Sequence, residues 1–262
     1  CRDGIINFSN NLLLTVNNSA DEAGIYNLNR KEEAPYNTTF NFTNPGQIYI
    51  SNCTDHGIVF SNNNGTLNAQ TSGLLQVFNT GFQGLYCYNK ASNEAFPLTL
   101  NFTNNGNIRI DSTQERGIYN YTYRGQPLTF INNGNINISS TRYKGIYNLS
   151  DNDNAVLNFT NNGSIAIDTT REEGLYNQAT QANPTLTAVL NFTNNGNISI
   201  DSTKLDGLQN FGNRGQINFT NGMNRIINIT RTREYGIINQ NREDQANFAT
   251  AMNFTNMGTR SL

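Results

Sequence analysis

Apolar and polar residues alternate in short segments along most of the chain. In one such segment, Leu100 and Phe102 alternate with Asn101 and Thr103. An extended backbone would therefore point the apolar side chains to one side and the polar side chains to the other. Asn-Gly and Asn-Asn-Gly sequences interrupt the pattern every few residues, and they favour turns over helices. The pattern predicts many short β-strands and almost no helix.

The alternating segments belong to three sequence words that recur in a fixed order over about 28–33 residues. The first word is Gly-Ile/Leu-x-Asn or a degenerate form of it, and it begins at Gly4, Gly24, Gly57, Gly84, Gly117, Gly145, Gly174, Gly207 and Gly236. The second is Phe-x-Asn, at Phe8, Phe42, Phe60, Phe102, Phe130, Phe159, Phe192, Phe219 and Phe254, with an imperfect copy at Phe78-Asn79. The third is Ile-x-Ile, beginning at Ile48, Ile108, Ile136, Ile165, Ile198 and Ile227.

A repeat of this length indicates a supersecondary unit that stacks on its neighbours. Propeller blades need four strands and about 40 residues, whereas each repeat here supplies three strands, as one coil of a three-sided parallel β-helix does. An antiparallel meander is the other alternative. We therefore predict an all-β, single-domain parallel β-helix (β-solenoid) over residues 1–262, with roughly nine coils and no clear caps.

Stacking at about 4.8 Å per coil would place identical residues above one another inside the solenoid. Phe, Ile and Leu would form apolar columns in its interior. Asn104, Asn161 and Asn194 each lie two residues after a Phe, so they should also point inward. Amide side chains in such a column can hydrogen-bond to the copies above and below.

The layout of the words resembles the parallel β-helix passengers of bacterial surface proteins. The Phe-x-x-Asn of "FTNN" at Phe102 and Phe159 is similar to the repeat of the polymorphic outer-membrane proteins of chlamydiae, an autotransporter adhesin family. That family combines Phe-x-x-Asn with a Gly-Gly-Ala-Ile-type word, where this chain has "GIYN". The resemblance implies exposure at a cell surface and a role in adhesion.

Composition narrows the function classes. Charged residues make up 14% of the chain and the formal net charge is −2, whereas nucleic-acid and membrane-surface binding need clustered Lys and Arg. We therefore predict no nucleic-acid partner. No window approaches the roughly 18 apolar residues of a membrane helix, so we predict no membrane span.

Asn accounts for about one residue in five, and about 17 Asn-x-Ser/Thr patterns occur along the chain. Such patterns are N-glycosylation acceptors in secreted proteins. Duplication of one Asn-Phe-Thr unit would also multiply them without any glycosylation. The alternation places eight of them outward, in two rows that we predict to carry N-linked glycans: Asn41, Asn101, Asn158, Asn191, Asn218 and Asn253 in the first row, and Asn137 and Asn228 in the second. Asn120 and Asn148 should face inward and make poor acceptors.

Candidate catalytic groups are few. Asp168 and Asp201 should be neighbours on successive coils, and Asp111 occupies an equivalent place, as in the carboxylate clusters of polysaccharide-active enzymes. Each Asp also opens an Asp-Ser/Thr-Thr turn, which favours a capping role. His56 is the only histidine and has no ligand cluster around it. We predict no enzyme activity, no cofactor and no metal.

Two further outward rows suggest other activities. The first would be a flat Thr row, as in ice-binding solenoids, formed by Thr43, Thr103, Thr160, Thr193, Thr220 and Thr255. The second would be an aromatic ladder that either stiffens the rod or binds sugars, formed by Tyr26, Tyr86, Tyr119, Tyr147 and Tyr176.

The two ends of the chain predict self-association. "NFTNMGTRSL" at the end followed by "CRDGIINF" at the start aligns with the repeat at Asn101 after a short deletion, so one coil is split across the termini. Stacking by addition of strands to open sheet edges would complete that coil. We predict assembly contacts at Cys1, Gly4, Ile5, Phe254 and Leu262.

Three cysteines, Cys1, Cys53 and Cys87, leave at least one without an intrachain partner, so a disulfide pairing is left open. Together these features predict an extracellular structural glycoprotein that stacks head to tail into a filament, its partners being copies of itself and N-linked glycans. An adhesin-type binding module is the alternative.

Overall fold

The computed structural model of the protein describes residues 4–20, 23–29, 38–63, 65–90, 98–124, 126–152, 154–183, 186–242 and 251–258. These residues form 25 short β-strands and no helix, as the alternating pattern predicts. In chain order the strands are β1 (Gly4–Ser9), β2 (Leu13–Asn17), β3 (Ile25–Asn29), β4 (Thr38–Asn44), β5 (Gln47–Cys53), β6 (Ile58–Asn62), β7 (Gly65–Thr71), β8 (Leu74–Thr80), β9 (Leu85–Lys90), β10 (Leu98–Asn104), β11 (Asn107–Thr113), β12 (Ile118–Tyr123), β13 (Pro127–Asn132), β14 (Asn135–Thr141), β15 (Ile146–Asp151), β16 (Val156–Asn161), β17 (Ser164–Thr170), β18 (Leu175–Thr180), β19 (Val189–Asn194), β20 (Asn197–Thr203), β21 (Leu208–Asn213), β22 (Gln216–Asn221), β23 (Ile227–Thr230), β24 (Ile237–Arg242) and β25 (Ala251–Asn256).

Apart from the strands at the two ends, every strand pairs in parallel with the strands three places before and after it in the chain, which defines a three-sided β-solenoid. The first sheet runs from β1 to β25 and contains nine strands. The second runs from β2 to β23 and the third from β3 to β24, with eight strands each. The solenoid makes about seven turns, slightly fewer than the nine coils expected.

The register confirms that most like words stack on like words, whereas the words at Gly4, Phe60 and Phe78 lie in the first, third and second sheets, apart from their counterparts. In the first sheet Phe102 lies against Phe130, and Phe159 against Phe192. Their rings stack at centroid distances of 4.8 and 4.9 Å between successive coils, in agreement with the strand spacing of a sheet. The Phe side chains are buried, because alternate residues of each strand face the interior.

One gap in the Phe column is filled from another sheet. Ala69 occupies the place between Phe42 and Phe102 in the register of the first sheet. Phe60 of β6 enters that space and contacts both rings, at centroid distances of 5.1 Å to Phe42 and 5.6 Å to Phe102. The interior therefore keeps its packing density although the column of the first sheet is broken.

The corners between sheets are as regular as the strands. Gly134 follows β13, and a Cβ atom built on it would lie 1.6 Å from the carbonyl oxygen of Gly106 one coil below. Only glycine permits the backbones of successive coils to approach so closely at this corner. At the corner that follows the second sheet, Ser112, Ser140 and Thr169 adopt positive φ angles of 55–57°, and the chain turns there towards the third sheet.

Candidate functional site

The outward Asn residues of the first sheet form two amide ladders of four residues each, which Thr129 separates in the register between Asn101 and Asn158. Asn191 donates from Nδ2 to Oδ1 of Asn158 at 2.8 Å, and Asn218 donates in the same way to Asn191 at 2.8 Å. Equivalent bonds join the other outward Asn residues and run Asn41 to Asn7, Asn68 to Asn41, Asn101 to Asn68 and Asn253 to Asn218. The predicted positions of the first row are therefore confirmed as outward, and the ladder gives them a structural role besides any glycan.

The amide ladder and the coil spacing limit how many N-linked glycans the first row can carry. Each amide nitrogen carries two hydrogens, and the ladder uses one of them. A glycosidic bond to Nδ2 replaces the other, so a single glycan is compatible with the hydrogen bond. Neighbouring sequons on consecutive coils lie only about 4.8 Å apart, which is close to the width of a sugar ring. The first row therefore cannot carry a glycan on every coil without splaying.

The second row differs in its surroundings. Asn137 on β14 and Asn228 on β23 are both exposed, and their side chains make no hydrogen bond to other described residues. Ala166 and Ser199 lie between them in the register of the second sheet. Three coil steps separate the two Asn residues by about 14 Å at the strand spacing of a sheet. Glycans at these two positions would not compete for space.

Inward Asn residues form two further ladders that are buried except at their ends. Asn161 has 0% exposure, donates to Oδ1 of Asn194 at 2.8 Å and accepts from Asn132 at 2.8 Å. The second Nδ2 hydrogen of Asn161 is donated to the carbonyl of Gly163 at 2.9 Å, so both donor hydrogens are used. The other ladder joins Asn120, Asn148, Asn177, Asn210 and Asn239 at 2.7–2.9 Å. The predicted inward ladder is confirmed, as is the inward orientation of Asn120 and Asn148.

The predicted Tyr ladder occupies the outward face of the third sheet. Tyr86 and Tyr119 stack at 5.0 Å with an interplanar angle of 1°, and Tyr119 and Tyr147 stack at 4.9 Å and 8°. Tyr176 continues the column at 5.1 Å from Tyr147. Tyr26 is separated from the column because Val59 lies between it and Tyr86 in the register.

The stacking of the Tyr rings bears on the two roles predicted for them, which are stiffening of the rod and sugar binding. Rings that lie face to face along the solenoid axis cover one another's faces and leave only their edges outward. A flat ligand stacks on the face of an aromatic ring, so the covered ring faces favour the stiffening role over the sugar-binding role. Arg116 adds a cation–π contact, with its guanidinium 4.7 Å from the centroid of Tyr119. Burial is the main reason that the pKa values of Tyr86, Tyr119 and Tyr147 lie above the usual range.

The candidate carboxylates are adjacent, and each accepts a hydrogen bond from a threonine hydroxyl. Asp168 and Asp201 are register partners on β17 and β20, as predicted. Arg231 forms an ion pair with Asp201, to which Thr230 also donates a hydrogen bond at 2.7 Å. The hydrogen bonds from Arg231 and Thr230 lower the pKa of Asp201. Thr169 donates to Oδ1 of Asp168 at 3.0 Å, which supports the predicted turn-capping role.

His56 lies in a corner turn, as expected. Its ring packs between Phe82 and Tyr86, at centroid distances of 5.5 and 5.4 Å, and Nε2 lies 3.2 Å from a carboxylate oxygen of Asp55. Burial is the largest effect on its pKa, which is lowered. Among the described residues no cluster of three His, Cys, Asp or Glu side chains suitable for a metal ion is found.

Two of the three cysteines are free, buried thiols. Cys53 ends β5 in the second sheet, Cys87 lies in β9 of the third sheet, and neither forms a disulfide. Burial raises the pKa of both thiols, which makes them poor nucleophiles. Cys1, the third cysteine considered for a disulfide, lies outside the described residues.

The predicted Thr row is present but interrupted. Gln70 separates Thr43 from Thr103, and Ile131 separates Thr103 from Thr160 in the register of the first sheet. An uninterrupted run of Thr exists only from Thr160 onward, through Thr193, Thr220 and Thr255.

The two terminal coils expose their apolar interior. Ile6 and Phe8 of β1 are 48% and 41% exposed, whereas Leu100 and Phe102 in the same columns are 0% and 1% exposed. Among the described residues, β1, β2 and β3 pair on one side only, and so do β23, β24 and β25. Gly4 and Ile5, two of the predicted assembly residues, lie in β1. The prediction that one coil is split across the termini is wrong in its register, because β1 belongs to the same sheet as β25 and not to the third sheet.

At the opposite end, Phe254 of β25 stacks on Phe219 at 5.0 Å. Its other ring face contacts no described aromatic residue. The assembly residues Cys1 and Leu262 lie outside the described residues.

One surface was not recognised in the sequence. Arg142, Arg171, Lys204 and Arg233 directly follow the turn at the corner between the second and third sheets, on four consecutive coils, and all four are exposed. In the sequence each of these cations directly follows a threonine: Thr141, Thr170, Thr203 and Thr232. The row is not evident there because the cations are 29–33 residues apart in the chain and the overall charge is close to zero.

Comparisons with protein-family models, with curated proteins and with solved structures find no match to this chain. The resemblance to bacterial surface-protein passengers is therefore confirmed for the β-solenoid fold alone. Within the described residues there is also no helix that is long and apolar enough to cross a membrane.

Proposed function

We propose that the protein is a structural element of an extracellular, N-glycosylated filament, in which copies stack head to tail and the first sheet continues from one copy into the next. The observation that carries this proposal is the complementarity of β1 and β25. Among the described residues both strands pair on one side only, and each carries the residues that the other would need as a neighbour.

The apolar columns are complementary in position. Phe8 of β1 and Phe254 of β25 belong to the same column of the first sheet. If β1 of one copy paired with β25 of another, Phe8 would stack on Phe254 and Ile6 on Met252. Burial of such side chains contributes about 1.5–3 kcal/mol each, and it would remove the exposed apolar surface from both ends.

The amide ladders are complementary in polarity. In the buried ladder of the first sheet, donation runs upward, from Asn10 to Asn44 at 2.8 Å near one end and from Asn221 to Asn256 at 2.9 Å near the other. Asn256 can therefore donate to Asn10 of the next copy. In the outward ladder donation runs downward, from Asn41 to Asn7 and from Asn253 to Asn218. Asn7 can accordingly donate to Asn253 of the copy below.

This polarity distinguishes head-to-tail from head-to-head association. Two identical ends placed together would oppose donor to donor or acceptor to acceptor and would pair strands antiparallel. A head-to-tail contact is heterologous, and repeated application of it produces an open filament and not a closed dimer. Addition of strands to a free sheet edge supplies the backbone hydrogen bonds.

A single backbone position offers a specific test. The N–H of Asn10 donates to the carbonyl of Thr43, and its carbonyl accepts from Gly46, so Asn10 bonds towards β4. Because backbone groups alternate along a parallel strand, the N–H of Ile5 points to the open side. Proline is tolerated at such edge positions but cannot donate to an added strand.

We expect the unmodified protein to form filaments whose length increases with concentration, as seen by negative-stain imaging and sedimentation velocity. Ile5→Pro should shift the material to monomers. Ile5→Ser, which also removes the apolar side chain but retains the N–H, is the matched control and should assemble more strongly than the proline variant. Equal assembly of the two variants, or a parent protein that stays monomeric at all concentrations, would contradict head-to-tail strand addition.

A further inference from the structure

The basic corner comprises Arg142, Arg171, Lys204 and Arg233 on four consecutive coils. The backbone N–H of each donates to a threonine carbonyl one coil below, at 3.0–3.2 Å, so the four residues are stacked in register. At the strand spacing of a sheet, the cations follow one another at about 4.8 Å and span about 14 Å. None of the four forms an ion pair with another described residue.

The backbone that carries these cations is held in place by buried hydroxyls. The hydroxyl of Thr170 donates to the carbonyl of Glu172 at 3.0 Å, and that of Thr203 donates to the carbonyl of Leu205 at 3.3 Å. Each of these hydrogen bonds spans a basic residue, Arg171 in the first case and Lys204 in the second. The backbone positions from which the Arg and Lys side chains extend are thereby fixed before any ligand binds. This lowers the entropy cost of binding.

Neighbouring carboxylates do not neutralise the basic corner. Lys144 is paired with both Glu172 and Glu173, and Asp201 is paired with Arg231. Asp151, Asp168, Asp206 and Glu234 form no ion pair within the described part of the chain, but Asp151 accepts a hydrogen bond from Tyr121, and Asp206 is buried and accepts one from the N–H of Tyr235. Four exposed cations therefore follow one another along this corner without an ion-pair partner among the described residues.

A polar groove runs along the same corner. It has a volume of about 490 Å³ and is lined by backbone and side chains of three successive turns, among them Ser112, Ser140, Thr169, Arg142 and Arg171. Ser140 and Thr169 are exposed and adopt positive φ angles. A column of hydroxyl groups thus accompanies the column of cations, both repeating once per coil.

We propose that the basic corner binds a linear anionic polysaccharide, one that carries carboxylate or sulfate groups along its length and lies parallel to the solenoid axis. A pyranose residue is comparable in length to one coil step, so successive sugars would meet successive coils. Arg binds carboxylate and sulfate-like groups through two parallel hydrogen bonds, and the serine and threonine hydroxyls are suited to the sugar hydroxyls. Four cations correspond to about four sugar residues.

Nucleic acid fits this surface less well. Phosphates of a duplex strand follow one another at about 3.4 Å along the axis, which does not match the coil spacing. Single strands bind through bases stacked on aromatic faces, but the rings of the Tyr column cover one another. A polysaccharide needs neither base stacking nor a duplex spacing.

The test measures binding of size-defined heparin-derived oligosaccharides and of oligogalacturonates by isothermal titration calorimetry in 150 mM salt, with neutral dextran oligosaccharides and a single-stranded oligothymidylate as comparison ligands. We expect binding to strengthen with length up to about a tetrasaccharide, to weaken with added salt, and to be absent for dextran. The double variant Arg171→Gln/Lys204→Gln should lose at least tenfold in affinity.

The matched control is Arg109→Gln/Arg225→Gln, which removes two exposed positive charges outside the basic corner and should change the affinity less than twofold. Equal losses in the two double variants would show that binding reflects net charge alone and would overturn the proposal. It would also be overturned if the anionic oligosaccharides did not bind, or if the oligothymidylate bound more tightly. The proposal does not depend on filament formation, because monomeric Ile5→Pro should bind the oligosaccharides unchanged.

Discussion

At the scale of single residues, asparagine performs two different tasks in this protein. On the outside, Asn158, Asn191 and Asn218 form a ladder whose hydrogen bonds could be replaced by hydrogen bonds to water. Inside, Asn161 and its equivalents satisfy one another in a space that water does not reach. The same chemical group therefore has a small effect on stability in one place and a large effect in the other, because an unsatisfied polar group is costly only when it is buried.

Asn161→Ala tests this difference. The change leaves the Nδ2 donor of Asn132 and the Oδ1 acceptor of Asn194 without their partners in the ladder, and we expect it to destabilise the fold by about 2–4 kcal/mol. Asn158→Ala, three residues earlier on the same strand, removes only an outward ladder bond and should cost less than about 1 kcal/mol. Denaturant unfolding followed by circular dichroism measures both. Similar costs for the two variants would contradict the role assigned to the buried ladder.

At the scale of elements, the third sheet is stabilised on its outer face by the Tyr column. Burial, and not a specific partner, is the largest cause of the raised pKa values of its hydroxyls. The folded protein therefore prefers the neutral phenol more strongly than the unfolded chain does. This preference links the stability of the solenoid to pH in the alkaline range.

The sign of the linkage follows from the direction of the shift. The contribution of these tyrosines to stability is fully present below the unfolded pKa of about 10. It is lost as the pH rises above that value, because only the unfolded chain ionises readily. We expect the midpoint of thermal unfolding to fall steeply above pH 10, and Tyr119→Phe/Tyr147→Phe, which retains the stacking, to fall less steeply. Parallel pH profiles for the parent and the double variant would show that the column is not responsible.

At the scale of the whole molecule, regular stacking determines how surface groups are distributed along the rod. Every feature repeats at the coil spacing, whether it is an amide, a cation or an acceptor for a glycan. Groups smaller than this spacing, such as the Asn amides, form continuous ladders. Groups larger than it, such as glycans, must skip coils or splay outward.

Glycan occupancy should follow this rule. After expression in a eukaryotic secretory system, we expect Asn137 and Asn228 to be occupied in nearly every molecule, since they are exposed and far apart. Asn158, Asn191, Asn218 and Asn253, on consecutive coils, should each be occupied in only part of the molecules. Asn120 and Asn148 should be unoccupied in folded material. Glycopeptide mass spectrometry measures the occupancy of all these positions together. A glycan on Asn120 in folded protein would contradict the rule that exposure and spacing determine occupancy.

The period-two alternation and the order of the three words were sufficient to predict the solenoid, the inward Phe column and the direction of the eight outward Asn residues. They were sufficient because strand geometry assigns alternate residues to opposite faces wherever the strand lies. The filling of the place beside Ala69 by Phe60 was not predictable, since it depends on how deeply a residue of one sheet reaches behind another. The basic corner was missed for a related reason: its members become neighbours only when coils stack.

The amino-acid sequence by itself thus determined which residues face the interior, which words pair with one another, and that a repeated coil would bury them. Tertiary structure alone decided which faces of the Tyr rings are covered, in which direction each Asn ladder donates, and where four distant cations line up. These properties depend on side-chain orientation and on the exact stacking of neighbouring coils. Local alternation carries no information about either.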